Sequence, residues 1–429
     1  MAEISPFRGY RYSANKVTNL SDVVTQPYDK ISEQMRQDYL NRHRYNIIRV
    51  IKNSNYKDAG ETLTHWIQSH ILKQDDALSF YPYEQIFQFE GHTFSRLGFV
   101  GLISLEIDAD SVKEHERVLD TPLADRLNLI RATEANEGSI FMLYSEPSRK
   151  VDQLIRQFSQ DHAAIIEVTD KDGNTHRMWQ LCEPPLIAQI VELLSGSQLY
   201  IADGHHRFKT SQLYYKECQA RGWSVASKES FDKRMVTLFN LNGPELKILP
   251  THRGIHNLDK FDLNQLLSKA ETNFRVKEIK DLAEWENAMQ APGVNIGLVA
   301  KGTASYYLLH FRDSSIHSTN VMAGMSDAMR QLDVNILHEV ILHSYLGIDP
   351  RQPSGQAQVD YFRHREELLT QLEQGKYQLA FILNPTSLDQ VCELSEQGDK
   401  MPQKSTDFYP KLLTGLVMMK MEIDKGDGG

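Results

Sequence analysis

Asp203-Gly204-His205-His206-Arg207 places one carboxylate, two imidazoles and one guanidinium within five residues. The imidazoles and the guanidinium are groups that grip and neutralise phosphoryl oxygens, and transfer of a phosphoryl group is helped chiefly by positioning and by charge. The mostly apolar run Leu199-Tyr200-Ile201-Ala202 just before them predicts a short buried strand, and Gly204 permits a sharp turn. From His206 the spacing of Thr210, Leu213, Tyr214 and Cys218 predicts one face of a helix. A strand aimed at a helix start would set the cluster beside the N–H groups that every helix N-terminus offers to an anion. The same residues also suit an ordinary capped helix, with Asp203 as N-cap and the histidines in solvent.

Other charged clusters stand elsewhere in the chain. His115 and Glu116 at a predicted strand end are followed by Arg126 and Arg131 on a predicted helix. Glu116 could serve as a general base toward a hydroxyl, or belong to a solvated charged loop. His252 and Arg253 follow another strand end and could contribute to an anion pocket or simply terminate the strand. Between Met401 and Lys411 two prolines fix the backbone, while Lys404, Ser405, Thr406 and Lys411 supply cations and hydroxyls suited to a small polyanion, or to a plain solvated loop. His338 and His343 flank a Glu339-containing run, but their i, i+5 spacing departs from the i, i+4 of a zinc-protease helix.

The elements that must position these groups are mixed. Glu90-Gly91-His92 predicts a turn between strands Tyr83–Phe89 and Leu97–Ile107, and Asp172-Gly173 predicts a second hairpin joining Ile165–Thr169 to His176–Trp179. A third is expected from Met235–Leu241 and Leu246–Leu249 around Asn242-Gly243-Pro244. Asn46–Val50 reads as a strand, while Tyr56–Leu72 and Leu186–Leu194 read as helices, the latter after a break at Pro184-Pro185. From about residue 258 helices and strands alternate in a separate texture. The expected fold class is α+β, a mixed α/β architecture with antiparallel hairpins, divided into residues 1–255 and a C-terminal α/β domain over 256–429.

Composition narrows the function. A chain of 429 residues exceeds one ordinary core, which fits that division. The net charge of −10 argues against a nucleic-acid partner, since displacing counterions needs clustered Lys and Arg. Cys182, Cys218 and Cys392 are scattered and form no CxxC pair, which fits a reducing cytoplasm, and no stretch approaches the ~20 apolar residues of a membrane span.

Phe7-Arg8-Gly9, Ala202-Asp203-Gly204-His205-His206-Arg207 and Met401-Pro402-x-Lys404-Ser405-Thr406-x-Phe408-x-Pro410-Lys411 together resemble one poorly characterised bacterial family of about this length. The central hexad also resembles the signature of free serine kinases related to ParB and sulfiredoxin, and the family is similar to pyrophosphate-dependent L-serine kinases. That resemblance implies a ParB/sulfiredoxin-like core whose strand-turn-helix binds phosphates. It implies that Asp203, His205, His206 and Arg207 face the transferring phosphoryl group, with an upstream glutamate as base, for which Glu116 is the candidate.

The expected activity is transfer of a phosphoryl group from pyrophosphate, or a nucleotide, to the hydroxyl of free L-serine, yielding O-phospho-L-serine. Asp203 would hold Mg²⁺ or orient the acceptor, and Lys404, Ser405, Thr406 and Lys411 would bind the distal phosphate. Pyrophosphate as donor is favoured by the lack of a GxxxxGK[ST] loop or a kinase-type glycine loop. A phosphoserine phosphatase, a non-catalytic ParB-like nucleotide-binding regulator and a metal hydrolase built on the histidines are the alternatives.

Overall fold

The structure, a computed structural model, describes residues 3–106, 111–118, 120–312, 322 and 324–426. It has a mixed α/β architecture and divides into two compact units. The first comprises residues 1–114, 118–247 and 410–429, the second residues 115–117 and 248–409.

In the first unit nine strands form one sheet. They are β1 (Ile4–Ser5), β2 (Tyr81–Phe89), β3 (His92–Ser104), β4 (Val112–Lys113), β5 (Ile140–Tyr144), β6 (Ile166–Thr169), β7 (Thr175–Met178), β8 (Leu199–Asp203) and β9 (Lys233–Asn240). Their order is β4-β8-β5-β9-β3-β2-β7-β6, with β1 beside β3. Hairpin β2–β3 turns at Glu90-Gly91 as the sequence predicts, and β6–β7 turns at Asp172-Gly173. The last residue expected in β3, Ile107, lies outside the described residues. Most pairs are antiparallel, but β4 with β8 and β5 with β9 are parallel.

Three local expectations are corrected. Lys233–Asn240 forms no hairpin with the segment after it, because β3 and β5 already occupy both of its edges. Asn46–Val50 is not a strand: the Asn46 side chain accepts from the Ile48 amide at 2.9 Å and donates to the Asp22 carbonyl at 2.7 Å, starting the helix Ile48–Ile51. That local bond competes successfully with the β preference of Ile and Val. Pro184-Pro185 does not break the chain before a helix but opens it, as the first two residues of Pro184–Leu194, where a missing N–H costs nothing.

The sheet buries Phe99, Ile140, Met142, Ile201, Val236 and Leu238 against Ile155 and Phe158 of helix Lys150–Asp161 and Ile190 and Leu194 of helix Pro184–Leu194. Helices Tyr56–Gln68, Asp120–Thr133 and His205–Ala220 pack in succession on one another. The helix Tyr56–Gln68 is held at its start by Asn55, whose side chain accepts from the Lys57 and Asp58 amides.

The second unit is built on a six-stranded antiparallel sheet. Its strands are β10 (His252–Ile255), β11 (Phe274–Ile279), β12 (Asn295–Ala300), β13 (Tyr306–Phe311), β14 (Val359–Phe362) and β15 (Leu379–Ile382), in the order β11-β13-β12-β15-β10-β14. Trp285, Leu368, Leu372 and Tyr377 anchor its core. The helix Asp333–Ile336 continues as a π-helix, Leu337–Tyr345, in which His338 is buried and His343 exposed. Among the described residues no helix is long and apolar enough to cross a membrane, and Cys182, Cys218 and Cys392 are unpaired.

His252 on β10 is buried and accepts from the Leu383 amide at 3.3 Å. Burial, with Arg253 beside it, pulls its imidazole from 6.5 down to about 3. The unfolded chain therefore binds a proton here that the folded chain refuses, and stability contributed by the neutral ring is lost as pH falls from about 6.5 toward 3. In His252→Asn, which retains an acceptor, the loss of stability between pH 7 and pH 4 in urea titrations should be smaller than in the wild type by roughly 3 kcal/mol.

Candidate functional site

The cluster begins where β8 ends. Its pairing with β5 runs in register through Ile201 and then shifts before Asp203. Such an irregularity re-aims the side chain that follows it. Gly204 then takes φ +103°, a left-handed conformation, and the helix His205–Ala220 begins at once. A Cβ on Gly204 would come 3.0 Å from Nη2 of Arg207, whose guanidinium folds back over the turn. Glycine is needed here twice, for its backbone and for the space.

Asp203 does not cap the helix: the N-cap is Gly204, and no side chain caps it. Its carboxylate instead joins two cations. Oδ1 accepts from Lys411 Nζ at 2.6 Å, and Oδ2 accepts from Arg207 Nη2 at 2.7 Å. Burial alone would raise this carboxyl, but Lys411 and Arg207 outweigh it and hold Asp203 well below the ordinary carboxylate range. It is a fixed negative charge and a poor proton acceptor. Arg207 also donates through Nη1 to the Ser139 carbonyl.

Lys411 is aimed by residues that sequence reasoning missed. Arg96 on β3 donates to the Pro410 carbonyl at 2.7 Å, and Gln85, directly opposite on β2, donates to the Lys411 carbonyl at 2.9 Å. The Arg96 guanidinium lies against the rings of both Phe141 and Phe239, 4.7 and 4.8 Å from their centroids. Its signal in the sequence is a lone arginine just before the apolar stretch Leu97–Ile103 of its strand.

Of the other predicted groups in this unit, His205 is buried and His206 half-buried in the first helical turn. Arg126 donates to Asp125 at 2.8 Å and to the Ile51 carbonyl at 2.9 Å, with its guanidinium 4.1 Å over the Tyr28 ring. Arg131 pairs with Glu217 at 2.9 Å on the surface, an exposed contact of small value.

The second unit gathers its own group. His115 Nε2 lies 3.0 Å from Thr406 Oγ1, and Glu116 bridges to Met401 along the backbone. Arg253, almost fully buried, donates to the Lys404 carbonyl at 3.1 Å, and Lys404 takes φ +60°. Ser405 donates to the Pro402 carbonyl at 2.6 Å, which commits its hydroxyl to holding the loop. His252, uncharged and bound to the Leu383 amide, is an acceptor rather than a cation.

The expected Mg²⁺ ligand is Asp203, and the geometry tests it. Both oxygens already face cations within 2.7 Å, so the side chain is built to be neutralised by lysine and arginine rather than by a metal.

The chain belongs to the family described as protein of unknown function DUF1015, whose profile matches residues 4–335. No curated protein matches the sequence. Among solved structures, a mutant free serine kinase in complex with AMP is similar at 14% identity and TM-score 0.37, over 72% of this chain and 87% of that one. A conserved hypothetical protein from Pyrococcus furiosus is similar at 14% identity and TM-score 0.34, over 72% and 91%. SbnI from Staphylococcus aureus, truncated at its C-terminus, is similar at 11% identity and TM-score 0.36, over 73% and 85%.

Removing one partner of a buried ion group leaves the others uncompensated. Asp203→Asn leaves two cations facing each other, whereas Lys411→Met leaves the Asp203–Arg207 pair intact. Denaturant titrations should therefore show Asp203→Asn losing roughly 3 kcal/mol and Lys411→Met about half as much. Equal losses would mean that the three charges do not act together.

Proposed function

We propose that this protein transfers a phosphoryl group from pyrophosphate to the hydroxyl of free L-serine, giving O-phospho-L-serine and inorganic phosphate. The observation that carries the reading is the convergence of Lys411 and Arg207 on Asp203 at a helix start that no side chain caps. Two cations held by one carboxylate keep a net positive charge, and the first helical turn adds the positive end of the helix dipole. The hexad's likeness to the signature of free serine kinases supports the same reading, and with it a ParB/sulfiredoxin-like core.

In the proposed reaction the serine oxygen attacks one phosphorus of pyrophosphate, the bond from that phosphorus to the bridging oxygen breaks, and the second phosphate leaves. The developing charge on the equatorial and leaving oxygens is met by Arg207 and Lys411, with His205 and His206 as further donors in the same turn. Asp203 holds both cations in place before the substrate arrives. Glu116 is the proposed acceptor of the serine proton, from the motif resemblance.

The test is a donor panel with purified protein and L-serine, followed by phosphorus NMR. Pyrophosphate should yield O-phosphoserine and phosphate in equal amounts, faster than ATP or ADP does. Lys411→Met should lower the rate by at least a hundredfold, as expected for a lost charge at a transferring phosphoryl group. Product from no donor sinks the proposal, and release of phosphate from O-phosphoserine in water alone would make the protein a phosphatase instead.

A further inference from the structure

A cavity of about 40 Å³ in the first unit shares Arg207 with the cluster at Asp203. Its polar lining includes Arg126, Glu137, Thr210 and Arg234. Three of these are at least nine-tenths buried: Arg234 is 5% exposed, Thr210 3% and Glu137 9%. Each presents one buried atom that has no hydrogen-bond partner, namely Arg234 Nε, Thr210 Oγ1 and Glu137 Oε1. Unmet buried polar atoms are costly and rare, and three of them around a single cavity indicate something to be bound there.

Their chemistry limits what that is. Arg234 is anchored at the cavity wall, through Nη2 to the Gly138 carbonyl at 2.6 Å, which leaves its Nε–H without a partner. Glu137 presents an acceptor of opposite charge, and the two side chains feel one another's field. Arg126 and Arg207 also line the cavity but are engaged by Asp125 and Asp203, so among these unmet atoms a simple anion would satisfy Arg234 and leave Glu137 unmet, while a simple cation would do the reverse. A zwitterion satisfies both. The volume is roughly three times what one water requires, the scale of a small amino acid's head and far below that of a nucleotide.

We propose that this cavity binds a small α-amino acid, with Arg234 donating to its carboxylate, Glu137 accepting from its ammonium and Thr210 completing the polar lining. On the phosphotransfer reading, from which its role as acceptor follows, that amino acid is L-serine. Arg207 then belongs to both halves of the site, since it lines the cavity and bonds Asp203 at 2.7 Å. Burial, which raises the Glu137 carboxyl, is opposed once an ammonium sits beside it.

The experiment is titration calorimetry on the full chain without a phosphoryl donor. L-Serine should bind, while ethanolamine, which lacks the carboxylate, and 3-hydroxypropionate, which lacks the ammonium, should each bind at least tenfold more weakly. Glu137→Gln and Arg234→Lys should each weaken L-serine at least tenfold and leave pyrophosphate affinity within twofold. The inference is overturned if wild-type protein does not bind L-serine, if either analogue binds as tightly, or if the variants bind L-serine unchanged. Should circular dichroism show that both variants are unfolded, Thr210→Val decides: a threefold or greater loss of L-serine affinity supports the site, and an unchanged affinity overturns it. L-Serine binding that depends on Glu137, without any O-phosphoserine formed, would uphold the amino-acid site and defeat the phosphotransfer reading.

Discussion

The Asp203 carboxylate between Lys411 and Arg207 is the constraint on which the rest of the first unit depends. Asp203 and Lys411 are 208 positions apart in the chain, and their side chains meet at 2.6 Å. Little water reaches them, with 19% of the aspartate and 8% of the lysine side chain exposed. At such burial an isolated charge is expensive, and a group of three is tolerable only when its geometry is kept. The sheet keeps it. Gln85 and Arg96 face each other across β2 and β3 and hold successive carbonyls at Lys411 and Pro410, so the lysine arrives with its backbone already fixed.

The placement of β8 inside the edge strand β4 follows from the same demand. β4 covers one edge of it at Leu199 and Tyr200, and β5 pairs along the other through Ile201 and again, after the register shift, at Asp203. The segment leading into β5 supplies the Gly138 and Ser139 carbonyls that anchor Arg234 and Arg207. Strand, turn and helix at the hexad are thus a device for holding guanidinium groups at fixed places, and the apolar residues behind them offset the entropic cost of that order.

Much of this was legible in the sequence where the information is local. The strand before Asp203, the turn at Gly204 and the helix after it follow from a few residues of pattern, and so do the hairpins at Glu90-Gly91 and Asp172-Gly173. Asp203, Arg207 and Lys411 were recognisable as candidates from residue type, though nothing in the spacing says that Lys411, rather than a neighbour in the same loop, meets the turn. What could not be read depends on distant partners. Arg96, Glu137 and Arg234 matter because of what the sheet brings beside them, and their local sequence offers only a charged residue within or beside a strand. Asn46 shows the opposite failure, where one side-chain hydrogen bond reversed the preference of its β-prone neighbours.

The separation of Asp203 from Lys411 also orders the site in time. A chain made from its N-terminus at ~5–20 residues per second presents Asp203 and Arg207 roughly 10 to 40 seconds before Lys411 emerges. During that interval the nascent protein holds an aspartate with one cation, and the second cation, which gives the site its excess positive charge, is still within the ribosome. The anion site is therefore among the last features of the first unit to be completed, and a growing chain has little hold on phosphates until its fold is nearly finished.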